Sequence, residues 1–139
     1  MSAQTKKKSV SPKNKKKVGE SRARYRAQTK RAKPTRQNIV ITKCKETLAK
    51  YYGDRLRGLI LYGSMARKQA TSSSDIDLLV LLNPPLDYFA ELRRLVDILY
   101  PVQLESERLI SAKPASVKDF EAGSVSLYRN AKREGIIVV

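Results

Sequence analysis

Two short apolar runs flank a polar segment in the middle of the chain, and their spacing leaves few folds open. Leu59-Ile60-Leu61 breaks at Gly63-Ser64, Met65-Ala66-Arg67 follows without a breaker, and seven residues later Asp75-Ile76-Asp77 runs into Leu78-Leu79-Val80-Leu81-Leu82. This pattern predicts strand, short helix, serine-rich turn, strand. Side chains alternate along a strand, so Asp75 and Asp77 point the same way with their Cα atoms about 6.6 Å apart. Ile76, Leu78, Val80 and Leu82 fill the opposite face, while Leu79 and Leu81 continue the aspartate face. The second strand is therefore expected to be buried on both sides with its acidic end at a rim. Two carboxylates side by side need a counter-charge, and a divalent cation is the natural occupant.

Gly63, lacking a Cβ, permits a sharp exit from the first strand and a close approach of backbone to a ligand. Ser64 stands where a helix begins. Its hydroxyl can cap free backbone N–H groups or reach an anion, and those N–H groups make a site suited to phosphate. Arg67 lies at the i+3 position that shares the Ser64 face. It can contact phosphate or brace the aspartates through a bidentate pair.

Gly63-Ser64-x-Ala66-Arg67, seven residues, then Asp75-x-Asp77 resembles the signature of the DNA polymerase beta type nucleotidyltransferase superfamily. The resemblance is in particular to its minimal nucleotidyltransferases, the antitoxin halves of MNT/HEPN toxin–antitoxin pairs. It implies an α/β (α+β) nucleotidyltransferase fold, a small mixed β-sheet packed with helices. It also implies transfer of a nucleoside monophosphate from a nucleoside triphosphate, usually ATP, with two Mg2+ ions held by the aspartates. Ser64, with the N–H groups after Gly63, would hold the beta and gamma phosphates.

The formal net charge of +16 is unevenly spread: residues 1 to 36 hold fourteen Lys or Arg against the single acid Glu20, leaving +3 for the other 103 residues. Residues 1–33, with Lys6-Lys7-Lys8, Lys15-Lys16-Lys17 and Arg22-Ala23-Arg24-Tyr25-Arg26, have too few apolar side chains to offset the entropy of ordering. A disordered basic tail is expected there, ahead of a nucleotidyltransferase domain over 34–139. The tail reads equally as an arm that neutralises phosphates of RNA or DNA or as a solubilising extension. The chain has no histidine, which excludes Ser-His-Asp and Cys-His catalysis and His-based zinc sites. The single cysteine, Cys44, allows no internal disulfide and fits a reducing cytoplasm. With no apolar run near membrane-span length and no signal-peptide core, a soluble cytoplasmic protein is expected.

Around the motif, Pro34-Thr35 predicts a helix entry, with Val40, Cys44, Leu48 and Tyr51 at helical spacing before Gly53 ends the run. Lys68 to Ser74 reads as a mobile polar turn. Pro84 or Pro85 opens a helix with a core stripe of Leu86, Phe89, Leu92, Val96 and Leu99, leaving Glu91, Arg93, Arg94 and Asp97 solvated. Pro101 is expected to end it, and Val102 to Ser111 to form a third strand with Gln103, Glu105, Glu107 and Leu109 on one face. The resemblance implies a third carboxylate on a strand beside Asp75-x-Asp77, and this register points to Glu107, with Glu105 as a rival. Pro114 and Ser116 would then open a helix through Phe120. Leu127 and Ala131 mark another closing at Gly135, and Ile136 to Val139 would dock on the core or pair at a sheet edge.

Larger members of the superfamily add a domain that presents the acceptor. The resemblance therefore implies that a partner brings the acceptor here: a HEPN-type toxin encoded nearby, modified on a hydroxyl with AMP, and an oligomer only with that partner. Two other readings stand beside it, a catalytically inactive antitoxin that blocks its toxin by binding, and a nucleic-acid-binding module that uses its basic tail.

Overall fold

A computed structural model describes residues 35–71 and 73–139, so the predicted tail over 1–33 lies outside the described residues. The first element, α1 (Arg36–Tyr52), starts where Pro34-Thr35 predicts: the Thr35 hydroxyl accepts the Asn38 N–H at 3.1 Å. Val40, Cys44, Leu48 and Tyr52 are buried. The stripe ends on Tyr52 rather than Tyr51, because a strict i+4 repeat continues to 52 and the Tyr52 hydroxyl donates at 3.0 Å to a buried carboxylate, Glu91. Burial pushes the Cys44 thiol up to about 12, so it serves packing and not chemistry.

A 3-10 turn, Gly53–Arg55, leads into β1 (Leu56–Tyr62). The chain crosses the motif and returns as β2 (Ile76–Leu82), antiparallel to β1, with Leu61 opposite Leu78 and Tyr62 opposite Asp77. The helix α2 (Tyr88–Glu105) opens with Asp87, whose carboxylate accepts the Ala90 N–H at 3.2 Å, rather than at Pro84 or Pro85. It does not stop at Pro101 but runs through it. The proline is exposed, so its ring meets solvent, and burial of Leu95, Leu99 and Val102 holds the helix on either side.

The buried face of α2 is also rotated from the expected stripe: Glu91, Leu95, Leu99 and Val102 face the core, while Phe89 and Val96 are 68% and 62% exposed. Glu91 goes inward because it has partners there. Arg94 and Arg55 donate to it at 2.7 and 3.0 Å, and Tyr52 completes the set. Burial alone would push the Glu91 carboxyl up, but these three bonds outweigh it and hold it below the ordinary carboxylate range.

The expected strand over 102–111 is therefore absent as drawn. Its first half is the last turn of α2, and β3 spans Ile110–Ser116, parallel to β2 with Ile76 opposite Ile110 and Asp77 opposite Ser111. Pro114 sits inside β3 instead of opening a helix, which the sheet tolerates because β3 is an edge strand. Two helices follow, α3 (Val117–Ala122) and α4 (Ser126–Glu134). After Gly135, β4 (Ile136–Ile137) pairs antiparallel with β1 at the other edge, one of the two expected fates of this apolar end.

Among the described residues the fold is a mixed four-stranded sheet in the order β3-β2-β1-β4, with α1 and α2 on one face and α3 and α4 on the other. The α1/α2 side buries Leu59, Leu61, Ile76, Leu78, Val80 and Leu82. The opposite side buries Ile60, Leu79, Leu81, Ala115, Phe120 and Ala131. The strand β2 is thus buried on both faces, as its composition predicts, and the face carrying Asp77 is the one beneath α3 and α4. No helix among the described residues is long and apolar enough to cross a membrane.

Candidate functional site

The site begins where β1 leaves the sheet. Gly63 adopts φ +75°, a conformation that L side chains resist, and opens a 3-10 turn over Gly63–Met65. The Gly63 carbonyl accepts the Ala66 and Arg67 N–H groups at 3.1 and 3.2 Å, and the Ser64 carbonyl accepts from Gln69 at 3.0 Å. The leading N–H groups of such a turn have no acceptor within it. The Ser64 hydroxyl makes no hydrogen bond among the described residues and stays available to an anion.

The chain returning to β2 is tied at Thr71 and Ser74. Arg108 donates to the Thr71 and Ser74 carbonyls at 2.7 and 2.8 Å, and the Ser74 hydroxyl accepts the Thr71 N–H at 2.8 Å. This delivers Asp75 and Asp77 beside the glycine turn. Asp77 stands opposite Tyr62, and a Cβ on Gly63 would overlap its Oδ2, so carboxylate and glycine backbone are in direct apposition.

Burial is the larger cause that pushes the Asp77 carboxyl above its ordinary value, and the Asp75 charge adds to it. Lys113 and Arg67 pull the other way. The Tyr62 phenol is pushed up to about 12, first by burial and then by Asp77 and Tyr88, and its hydroxyl is buried without a hydrogen-bond partner among the described residues. The buried Asp77 carboxylate, with Asp75 beside it, is where a cation would gain most.

The structure brings together Gly63, Ser64, Asp75 and Asp77 of the expected site. Arg67 donates to Gln69 at 3.2 Å and lies 3.7 Å from Glu134 at the end of α4, so it braces the turn against α4 and makes no bidentate pair with the aspartates. Glu107 is not brought to them. It lies in the turn before β3 and pairs with Arg36, while Glu105, the rival, ends α2 and pairs with Lys43. Arg36 and Lys43 both belong to α1, on the sheet face opposite Asp77, so both glutamates are drawn to that side. A cavity of about 240 Å³ there is lined by Arg36, Ile76, Glu105, Glu107 and Arg108. No cluster of three or more metal-ligating side chains forms among the described residues.

Beside Asp77 on β3 stand Ser111 and, two pairs further in, Lys113. Sequence reasoning missed both, because it placed the third strand too early. The signal was present: once a strand starts at Ile110, alternation puts 111 and 113 on the aspartate face.

Two hard carboxylate oxygens at a rim, facing a turn with free donors, fit Mg2+, which binds through one or two carboxylates and leaves its other positions to phosphate and water. The family described as Polymerase beta, Nucleotidyltransferase matches residues 42–139, from within α1 through β4. The chain belongs to that family, and the fold and the activity class, nucleotidyl transfer, follow at that level. No curated protein matches the chain.

Proposed function

We propose that this protein transfers AMP from ATP to a hydroxyl of a partner protein, a HEPN-type toxin, with Mg2+ held by Asp75 and Asp77. The observation that carries the site is the apposition of Asp77 to the backbone of Gly63, which sets metal-binding acceptors beside phosphate-binding donors within one turn. Ser64 and the N–H groups of the Gly63–Met65 turn bind the beta and gamma phosphates. Arg67, tied to Glu134, holds the turn and adds positive charge at its edge. Phosphoryl transfer asks of a protein mainly position and charge neutralisation. When bound, Mg2+ would supply charge stabilisation on the phosphoryl oxygens. The choice of ATP and of a toxin hydroxyl rests on the resemblance to minimal nucleotidyltransferases.

The test is to incubate the purified chain with Mg2+, ATP labelled in the alpha phosphate and the candidate toxin. Label is expected on the toxin, reduced at least about 100-fold by Asp77→Asn. Equal labelling by wild type and variant would overturn the site.

A second reading is favoured by one observation each for its two parts. Ser111, not an acid, flanks Asp77, which suits an inactive antitoxin, and the fourteen Lys and Arg of residues 1 to 36 suit nucleic-acid binding. Under it the toxin is silenced equally with and without ATP.

A further inference from the structure

The residues on β3 beside the aspartates differ from what a two-ion site requires. Parallel pairing sets Ser111 opposite Asp77 and Lys113 opposite Leu79, and alternation puts both side chains on the aspartate face. The strand next to the aspartates thus offers a hydroxyl and an ammonium where a third carboxylate would be needed. Lys113 stands two register pairs, about 7 Å, from the register of Asp77, and its four-carbon stem is long enough to span that distance along the sheet. It is half-buried and joins no ion pair among the described residues, so its charge is not spent on another acid. Arg67, the other nearby cation, lies 3.7 Å from Glu134, a carboxylate it shares with Arg133 at 3.6 Å, so Glu134 only partly offsets it. The site then has two carboxylates with one ammonium and one partly offset guanidinium about them, which suffices for one divalent ion and leaves a second without a carboxylate of its own.

We infer that this site holds a single divalent cation on Asp75 and Asp77, and that the Lys113 ammonium provides the second positive charge toward the phosphate oxygens of the donor. The inference rests on the proposed transferase reading for its phosphate, but the ion count stands apart from activity. Lys113 is then a charge-placing residue, and Ser111 is the position that limits the site to one ion.

The experiment is titration of Mn2+ into the full chain without nucleotide, the free ion counted by its EPR signal, followed by transfer assays at saturating Mn2+. One Mn2+ per wild-type chain is expected. Lys113→Met should keep the count at one and tighten binding at least about fivefold, as removal of a positive charge within about 7 Å of a divalent ion implies, while transfer falls about tenfold or more. A merely structural lysine would weaken both. Lys113→Arg should restore most of the transfer rate. Ser111→Asp, which adds the missing carboxylate, should raise the count to two. Two ions on the wild type, looser Mn2+ binding by Lys113→Met, or a Ser111→Asp count that stays at one would overturn the inference. Two ions with intact transfer would overturn it alone. One ion with no transfer to any acceptor would leave the count standing and remove the transferase reading.

Discussion

Gly63 and Gly53 both lie at positive φ, +75° and +55°, yet a methyl group added to each would meet different surroundings. At Gly53 nothing stands within 4 Å, so Gly53→Ala should carry only the backbone strain of φ +55° with ψ −128°, a region outside the left-handed helical one, about 1–3 kcal/mol. That corresponds to a melting temperature lower by roughly 4–24 °C in a domain of this size. At Gly63 a positive-φ strain is joined by overlap with Asp77 Oδ2, and the carboxylate must move to relieve it. Gly63→Ala should therefore melt below wild type and lose at least about 100-fold in Mg2+-dependent transfer, while Gly53→Ala transfers at near the wild-type rate. Asp77 itself predicts a pH signature. Its carboxyl is raised above the ordinary 3.8, first by burial and then by Asp75, so the folded chain holds this proton more firmly than the unfolded one. Stability is lost as pH rises from 3.8 through the raised folded value, and the loss is complete above it. Without divalent ions, Asp77→Asn should melt above wild type at neutral pH, with the difference vanishing as pH falls toward 3.8. Added Mg2+ should raise the wild type more than the variant and narrow the gap.

At the scale of elements, Pro101 offers a direct measure of how α2 is held. Inside a helix a proline removes one N–H and crowds the carbonyl four residues back, a cost of about 3 kcal/mol against alanine. Part of that is returned by a stiffer unfolded chain. Since Pro101 is exposed and its ring fills no core position, Pro101→Ala should stabilise the protein by about 1–2 kcal/mol, read as a higher midpoint in urea at unchanged slope. A helix ending at Pro101 would show no such gain. This proline is also where the sequence misleads. The two motif strands are legible because Leu59 to Leu61 and Ile76 to Leu82 form apolar runs cut by Gly63 and opened by Asp75 and Asp77, and those cues are local. The next strand is hidden by two prolines in unusual places. Pro101 continues a helix because packing on both sides holds it, and Pro114 enters a strand because that strand is an edge. Taking the first as a stop and the second as a start moves β3 by eight residues at its N-terminal end, and with it the choice of Glu107 over Ser111 and Lys113. The stripe on α2 fails for a related reason. Phe89, Val96 and Tyr100 make a second apolar stripe at helical spacing, and only the partners Arg55, Arg94 and Tyr52, distant in sequence or charged, decide that Glu91 turns inward.

At the scale of the whole molecule, most of the net charge lies outside the residues that the structure describes. The family match starts at residue 42, the sheet and both apolar clusters lie within 35–139, and the first 36 residues carry +13 of the net +16. If the basic run serves nucleic acid, its contribution is electrostatic and can be counted from salt dependence, since each phosphate contacted adds about −0.7 to the slope of log K against log salt for a single strand. Engagement of six or more phosphates would give the full chain a slope steeper than about −4 on single-stranded RNA. A variant lacking residues 1–34 should bind with a slope shallower than about −1, because the rest of the chain is nearly balanced in charge. The same variant should retain its melting temperature and its Mn2+ count, as the strands that position Gly63, Asp75, Asp77 and Lys113 have a sheet and two apolar clusters built from residues 35–139 among the described residues. Loss of the steep slope with transfer intact would assign the basic run to nucleic acid and the sheet to chemistry. Loss of both together would mean that the run carries the acceptor to the site, and an unchanged slope would take nucleic acid away from it altogether.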